Sequence, residues 1–224
     1  PGNTFSTFFS FRISNNGGSG DGDGLGADGI VFALQPNANT AGGGGGGIGF
    51  LGIANSVGVE FDTWNNGGPG DPDGNHVGID LNGNVNSVIA VPVSPRLNDG
   101  NVWYAWVDYN GTTLEVRLSQ TNSRPGAPML THTVNLSSVI GNTQAFVGFT
   151  SGTGAAFADH DILTWTFDNT YAPIGGPTAL ATEIPTLGHA ALALSLRDVG
   201  CELRRERGAS FDQLQAYGGI LTRG

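Results

Sequence analysis

Glu60-Phe61-Asp62-Thr63-Trp64-Asn65-Asn66-Gly67-Gly68-Pro69-Gly70-Asp71-Pro72-Asp73-Gly74-Asn75-His76 is the stretch on which the reading of this 224-residue chain turns. It follows an apolar run, Val57-Gly58-Val59, so Glu60 and Asp62 read as residues i and i+2 of a strand. Such residues share one face of the strand, about 7 Å apart. The segment Gly67-Gly68-Pro69-Gly70 must reverse the chain before a second apolar strand, Val77-Gly78-Ile79-Asp80-Leu81. That reversal delivers Asn66, Asp71 and His76 to the same two carboxylates. Carboxylates, an amide oxygen and backbone carbonyls suit a hard cation such as calcium, whereas an imidazole beside carboxylates suits manganese or another transition metal. Both donor types are present, so two adjacent metals are expected. The plain alternative is a solvated acidic loop, and the density of ligand-type side chains rising from a strand argues against it.

The spacing Glu-x-Asp-x-x-x-Asn-x4-Asp-x4-His, followed by Val-Gly-Ile-Asp, resembles the metal loop of the legume-type (L-type) lectins. The resemblance implies that Glu60, Asp62, Asp71 and His76 bind a manganese-type ion. It likewise implies that Asp62, Asn66, Asp71 and the carbonyl of Trp64 bind calcium. Leu81 to Ser87 is a residue longer than usual in that family, and Ser87 is the candidate for supporting a metal-bound water.

Composition sets outer bounds. An apolar content of 38% suffices for one substantial core, and all-β sandwiches of this length commonly form one domain. Gly and Pro together make up about 22% of the chain, short of the roughly 25–30% that marks low-complexity disorder. Between periodic apolar runs they read as turns. The formal charge is −10 and lysine is absent, so nucleic acid is not an expected partner. A single cysteine, Cys201, excludes an internal disulfide framework. No run of about 20 apolar residues exists to span a membrane, and the start of the chain has neither an initiating Met nor a signal-peptide apolar region.

Phe5 to Ile13, rich in aromatic and hydroxyl residues, reads as a strand and resembles an early strand of the same family. Asn15 to Gly24 reads as a flexible polar loop; its Asp21-Gly22-Asp23-Gly24 lacks the further ligands of an EF-hand. Ala27-Asp28-Gly29 opens the apolar strand that runs to Leu34. By resemblance Asp28 is a sugar-binding carboxylate that follows a cis peptide. The glycine run Gly42 to Gly47 is not a phosphate loop, because no Lys-Ser/Thr follows it. Its bare amides allow a close approach to a ligand, and the resemblance assigns Gly46 a hydrogen bond to the sugar. Asn110-Gly111 predicts a hairpin between Val102–Tyr109 and Thr112–Leu118. Trp103 and Trp106 read as core before they read as a ligand platform. Further strands are expected over 131–140, 145–150 and 161–167. The expected fold is therefore all-β, a concanavalin A-like sandwich (jelly roll) of two antiparallel sheets. By position in the family's specificity loop, Ala155 and Ala156 offer backbone amides to the sugar.

The resemblance extends over about residues 5–170. It gives a lectin domain over 1–172, with a first strand of the family missing or cut short, and a linker and tail over 173–224. In the tail, Glu183-Ile184-Pro185-Thr186-Leu187 with Arg204-Arg205 resembles a bacterial carboxy-terminal sorting signal, broken by Arg197 and Asp198. A disordered tail is the alternative. Three functions are in view. The first is a non-catalytic, metal-dependent domain that binds glycans or glycoconjugates through Asp28, the Gly46 amide and Asn66, with Trp64 stacking on the ring. It would be secreted or displayed at the cell surface, with homo-oligomerisation open. The second is an adhesive or structural surface domain with metals but no working sugar site. The third is a glycoside hydrolase, disfavoured because retaining hydrolysis needs a second carboxyl near Glu60, where this chain has Trp64.

Overall fold

The structure is a computed structural model and describes residues 4–142, 144–175 and 213–221. In chain order its strands are β1 (Phe5–Gly18), β2 (Gly20–Asp21), β3 (Gly24–Leu25), β4 (Gly29–Gln35), β5 (Val57–Asp62), β6 (His76–Leu81), β7 (Asn84–Pro92), β8 (Trp103–Tyr109), β9 (Thr113–Ser119), β10 (Leu130–Thr133), β11 (Ala145–Gly152), β12 (Ala156–Asp168) and β13 (Gln213–Leu221). Two antiparallel sheets dominate, ordered β10-β9-β8-β1-β12 and β13-β11-β4-β5-β6-β7. The expected two-sheet sandwich is thus what the chain forms.

Alternation along the strands builds the interior. Phe5, Phe9, Phe11 and Ile13 of β1 face Phe32 of β4, Phe61 of β5 and Phe149 of β11 in one buried cluster. Phe9 meets Phe61 and Phe149 edge to face, with ring centroids 5.6 and 4.8 Å apart, an arrangement aromatic quadrupoles favour. Phe61 lies between Glu60 and Asp62, so anchoring its ring in the core turns both carboxylates to the opposite face of the sheet. A smaller cluster of Val31, Ala33, Ile48, Phe50 and Ile53 packs on that opposite face. It seats the glycine-rich segment beside β4 and β5.

Several local expectations change. Residues 131–140 are not one strand: β10 ends at Thr133 and a short helix, α1 (Leu136–Ile140), follows. Asn135 caps it by accepting from the Ser138 N–H, and Gly141 closes it in the left-handed region at φ 64°. The β8–β9 hairpin forms, but only Gly111 of its Asn-Gly pair has positive φ. Asn110 Oδ1 instead accepts from the N–H groups of Thr112 and Thr113, at 3.0 and 2.9 Å, in a longer loop. Trp103 belongs to the core, while Trp106 is buried on the other face of its sheet against Phe8. The supposedly flexible Asn15–Gly24 holds the end of β1 and a β2–β3 hairpin paired Gly20 to Leu25 and Asp21 to Gly24.

Of the segment assigned as tail, Gln213–Leu221 forms β13 against β11 at the edge of the six-stranded sheet. Residues 176–212, with the sorting-signal resemblance at 183–187, Cys201 and Arg204-Arg205, lie outside the described residues. No helix among the described residues is long and apolar enough to cross a membrane.

His160 of β12 pairs with the core residue Ile13 and hydrogen-bonds through neither ring nitrogen. Burial pushes its pKa down to about 4, against the opposing pull of Asp159 and Asp161. In the unfolded chain an imidazole takes up its proton near pH 6.5. Between those values the unfolded state binds more protons, so stability falls as pH falls from 6.5 toward 4. Replacing His160 with Gln should flatten the decline of thermal midpoint across that window; an equally steep decline would assign the acid sensitivity to other groups.

Candidate functional site

Register assembles the site. β5 pairs with β6 so that Glu60 stands opposite Gly78 and Asp62 opposite His76. Residues 76, 78 and 80 therefore share the face that carries residues 60 and 62. Ligand atoms of Glu60, Asp62 and His76 come within 4.8 Å of one another, and all three side chains are buried. Asp71 joins them, its Oδ1 being 3.8 Å from His76 Nδ1. The turn after β5 is held by carboxylates: the Trp64 N–H donates to Asp62 Oδ1 at 2.6 Å, and the Asn66 N–H donates to Asp71 Oδ2.

The donor set fits a cation. Glu60 Oε2, Asp71 Oδ1 and Asp80 Oδ2 are buried without a hydrogen-bond partner, an arrangement that is costly for an oxygen anion unless a positive charge compensates it. His76 Nδ1 lies 2.9 Å from the carbonyl of Asp73 and so carries the proton that this carbonyl accepts. That fixes the tautomer and leaves the Nε2 lone pair facing Glu60 Oε1 at 3.2 Å. A nitrogen lone pair and a carboxylate oxygen at that distance need a proton or a metal between them. The shifts agree: burial and the Glu60 charge push Asp62 and Asp80 well above the usual carboxylate range. Burial lowers His76, but Glu60, the Asp73 carbonyl and the Asp71 charge together outweigh that and leave it raised.

Ser87, the candidate water-supporting residue, has its Oγ 2.6 Å from Glu60 Oε1 and 2.8 Å from Asp80 Oδ1. Its one proton serves one of them at a time. Asp80 was legible only as the end of Val-Gly-Ile-Asp; its register two residues beyond Gly78 was the signal that would have placed it in the cluster. Gly78 itself is a spacer, since a Cβ there would stand 2.0 Å from Ser87 Oγ and 2.4 Å from Glu60 Oε1.

The residues assigned to a sugar gather beside this cluster. The Ala27–Asp28 peptide is cis. Asp28 donates its N–H to the Gly152 carbonyl at 3.0 Å and accepts the Thr63 N–H on its own carbonyl at 2.9 Å, so it stands between β11 and the metal loop. Burial pushes its carboxyl up to about 6, and its Oδ2 is buried without a hydrogen bond. Gly46 lies against Asn66: a Cβ on it would come within 2.1 Å of Asn66 Nδ2. Trp64 is partly exposed at the rim. Ala155 is exposed, and its carbonyl accepts from the Ser19 N–H at 2.9 Å; Ala156 is buried, and its carbonyl accepts from Gly154. Asp28, Gly46, Trp64 and Asn66 are thus brought together. Ala155 and Ala156 lie three and four residues beyond Gly152, whose carbonyl accepts the Asp28 N–H.

Comparison with known proteins bears on this arrangement. Residues 2–179 match the family profile described as "Legume lectin domain". The L-type lectin-domain containing receptor kinase VIII.1 of Arabidopsis thaliana is 36% identical over 176 residues, which cover 75% of this chain and 24% of the relative. The chain thus spans about a quarter of the length of that curated relative. Among solved structures, lectin II from Ulex europaeus superposes with a TM-score of 0.58 at 31% identity, covering 73% of this chain and 71% of its own. The lectin from Bauhinia forficata in complex with GalNAc gives 0.62 at 25% identity, covering 76% and 75%.

Proposed function

We propose, because this chain belongs to the legume lectin domain family over residues 2–179, that it binds glycans at the site formed by Asp28, Gly46, Trp64 and Asn66. The domain is a non-catalytic, carbohydrate-binding one. The observation that carries the reading is the unpartnered, buried Oδ2 of Asp28 beside the close pair Gly46 and Asn66. A carboxylate acceptor, a bare amide and an amide side chain suit sugar hydroxyls, and Trp64 suits the apolar face of a pyranose. Ala155 and Ala156 contribute backbone rather than selective side chains.

Glu60, Asp62, Asp71 and His76 are the residues to hold a manganese-type ion, and Asp62, Asn66, Asp71 and the Trp64 carbonyl those to hold calcium. When bound, these ions supply positive charge to the buried carboxylates. The chain's own residues do the recognition: Asp28 accepts hydrogen bonds, Asn66 bridges metal loop and ligand, and the Gly46 region closes on it. The partners are glycans or glycoconjugates in a secreted or cell-surface setting. A bacterial origin rests on the resemblance at 183–187 alone.

A glycan array with calcium and manganese tests this. Retention of a defined subset of glycans, displaced by the free sugar, is the expected result. Retention of none would leave the reading of a metal-stabilised surface domain without a working sugar site. On polysaccharides no release of reducing ends above blank is expected, because Glu60 lacks a second carboxyl at position 64.

A further inference from the structure

Three successive backbone N–H groups in the turn after β5 each donate to a carboxylate. Trp64 donates to Asp62 and Asn66 to Asp71, both within the metal loop. The middle one, Asn65, donates to Asp21 Oδ2 at 2.9 Å, and Asp21 lies 44 residues earlier in the chain. Its other oxygen accepts from the Asp23 N–H at 3.0 Å, which holds the carboxylate in the β2–β3 hairpin. The approach is close because residue 74 is glycine: a Cβ there would stand 2.1 Å from Asp21 Oδ2. On its other side this segment is tied to the specificity loop, Ser19 N–H donating to the Ala155 carbonyl at 2.9 Å. Arg96 flanks the same hairpin, its Nη1 only 2.7 Å from where a Cβ on Gly24 would lie. Ser19 to Asp21 therefore spans from Ala155 to Asn65, the two loops that stand on either side of Asp28.

We propose that Asp21 is a positioning residue of the glycan site: by accepting the Asn65 N–H it fixes the Asn65–Asn66 turn and, through it, the amide that Asn66 presents beside Gly46. The inference rests on the glycan-binding reading given above. Asp21's hydrogen bonds go to Asn65 and Asp23, not to Glu60, Asp62 or His76, and the peptide it holds carries at its other end the Trp64 carbonyl assigned to calcium, so its effect falls on the calcium and glycan side of the turn and not on the manganese-type site. A charge-assisted hydrogen bond is roughly twice as strong as a neutral one, so the acceptor and the charge contribute separably. Without the acceptor, the Asn65 peptide keeps its neighbours Trp64 and Asn66 tethered but loses the middle restraint.

The test uses the full chain loaded with calcium and manganese, titrated calorimetrically with a glycan retained on the array. Metal content and thermal midpoint are measured on the same samples. D21A is expected to weaken glycan binding about tenfold with the manganese-type ion retained, and D21N, which keeps an acceptor for Asn65, by no more than about threefold. Unchanged affinity in D21A overturns the inference. So does a parallel loss of the manganese-type ion, which would place Asp21 in the site of Glu60, Asp62 and His76, or an equal loss in D21N, which would make its charge rather than its acceptor the active feature. If D21A fails to fold, the comparison of D21N with the unaltered protein decides, a loss well beyond threefold counting against the inference. Unaltered protein that binds no glycan at all overturns the underlying reading, and the inference with it.

Discussion

Chelating divalent ions at neutral pH should lower the thermal midpoint by about 5–10 °C and abolish retention on glycans, with both restored by calcium and manganese. Binding to the folded state alone stabilises it by roughly 2.7 kcal/mol when the ion stands at a hundred times its dissociation constant. In a domain of this length each kcal/mol moves the midpoint by about 2–4 °C. The sign of the pH dependence provides a sharper check. In the stripped protein the folded-state pKa values of Asp62 and Asp80 are raised by burial and by Glu60. The folded state then binds more protons than the unfolded chain above pH 3.8, so stability is lost as pH rises through that window. His76 acts in the same direction, because its raised value makes protonated imidazole the stabilising form, lost as pH rises above 6.5. In the metal-loaded protein the same groups must be deprotonated to ligate, so stability is lost as pH falls. Because the His160 contribution is common to both forms, the melting midpoint of the stripped protein should fall relative to that of the loaded protein as pH rises from 4.5 to 7.5. Parallel slopes, or a stripped protein that still binds glycan, would show that no ion occupies this cluster.

The meeting of Glu60, Asp62 and His76 was legible because its logic is local. An apolar strand fixes the face on which Glu60 and Asp62 point, and Phe61 between them is visibly core. A glycine- and proline-rich turn then returns the chain within reach, and register brings His76 opposite Asp62. Gly46 was placed by resemblance, and its approach to Asn66 joins two segments 20 residues apart. Asp21 was not legible. Its partner is a backbone N–H, to which any nearby acceptor is chemically suited, and its hairpin has strands of only two residues. Periodicity has nothing to register over so short a span. The α1 helix escaped for a different reason: its Val and Ile read as strand, and the deciding signals are the Asn135 cap and Gly141 at either end. Ser87 shows how a spacing mismatch can mislead. β6 and β7 shift register between Ile79 and Leu81, and the irregularity absorbs the extra residue while keeping Ser87 on Glu60.

Gly78→Ala should cost metal affinity about 10–100-fold and take glycan binding with it, the range seen when groups that orient metal ligands are lost. The backbone at Gly78 lies outside the positive-φ region, so alanine is conformationally acceptable there and the effect is purely one of space. The new methyl would meet Ser87 Oγ at 2.0 Å and Glu60 Oε1 at 2.4 Å, separations real carbon atoms do not adopt. Both must move. Glu60 is flanked by Phe61 in the packed core, so its main chain is fixed and its side chain must swing from His76. Asp28→Ala makes the contrasting case. It removes an acceptor on the β11 side of the site and also removes a negative charge that raises Asp62, so metal should be held at least as well while the glycan is lost. Metal content by elemental analysis and glycan affinity by calorimetry, measured on both variants, separate the two sites. Loss of metal in Asp28→Ala, or full metal and glycan binding in Gly78→Ala, would break the assignment of one cluster to the ions and its neighbour to the sugar.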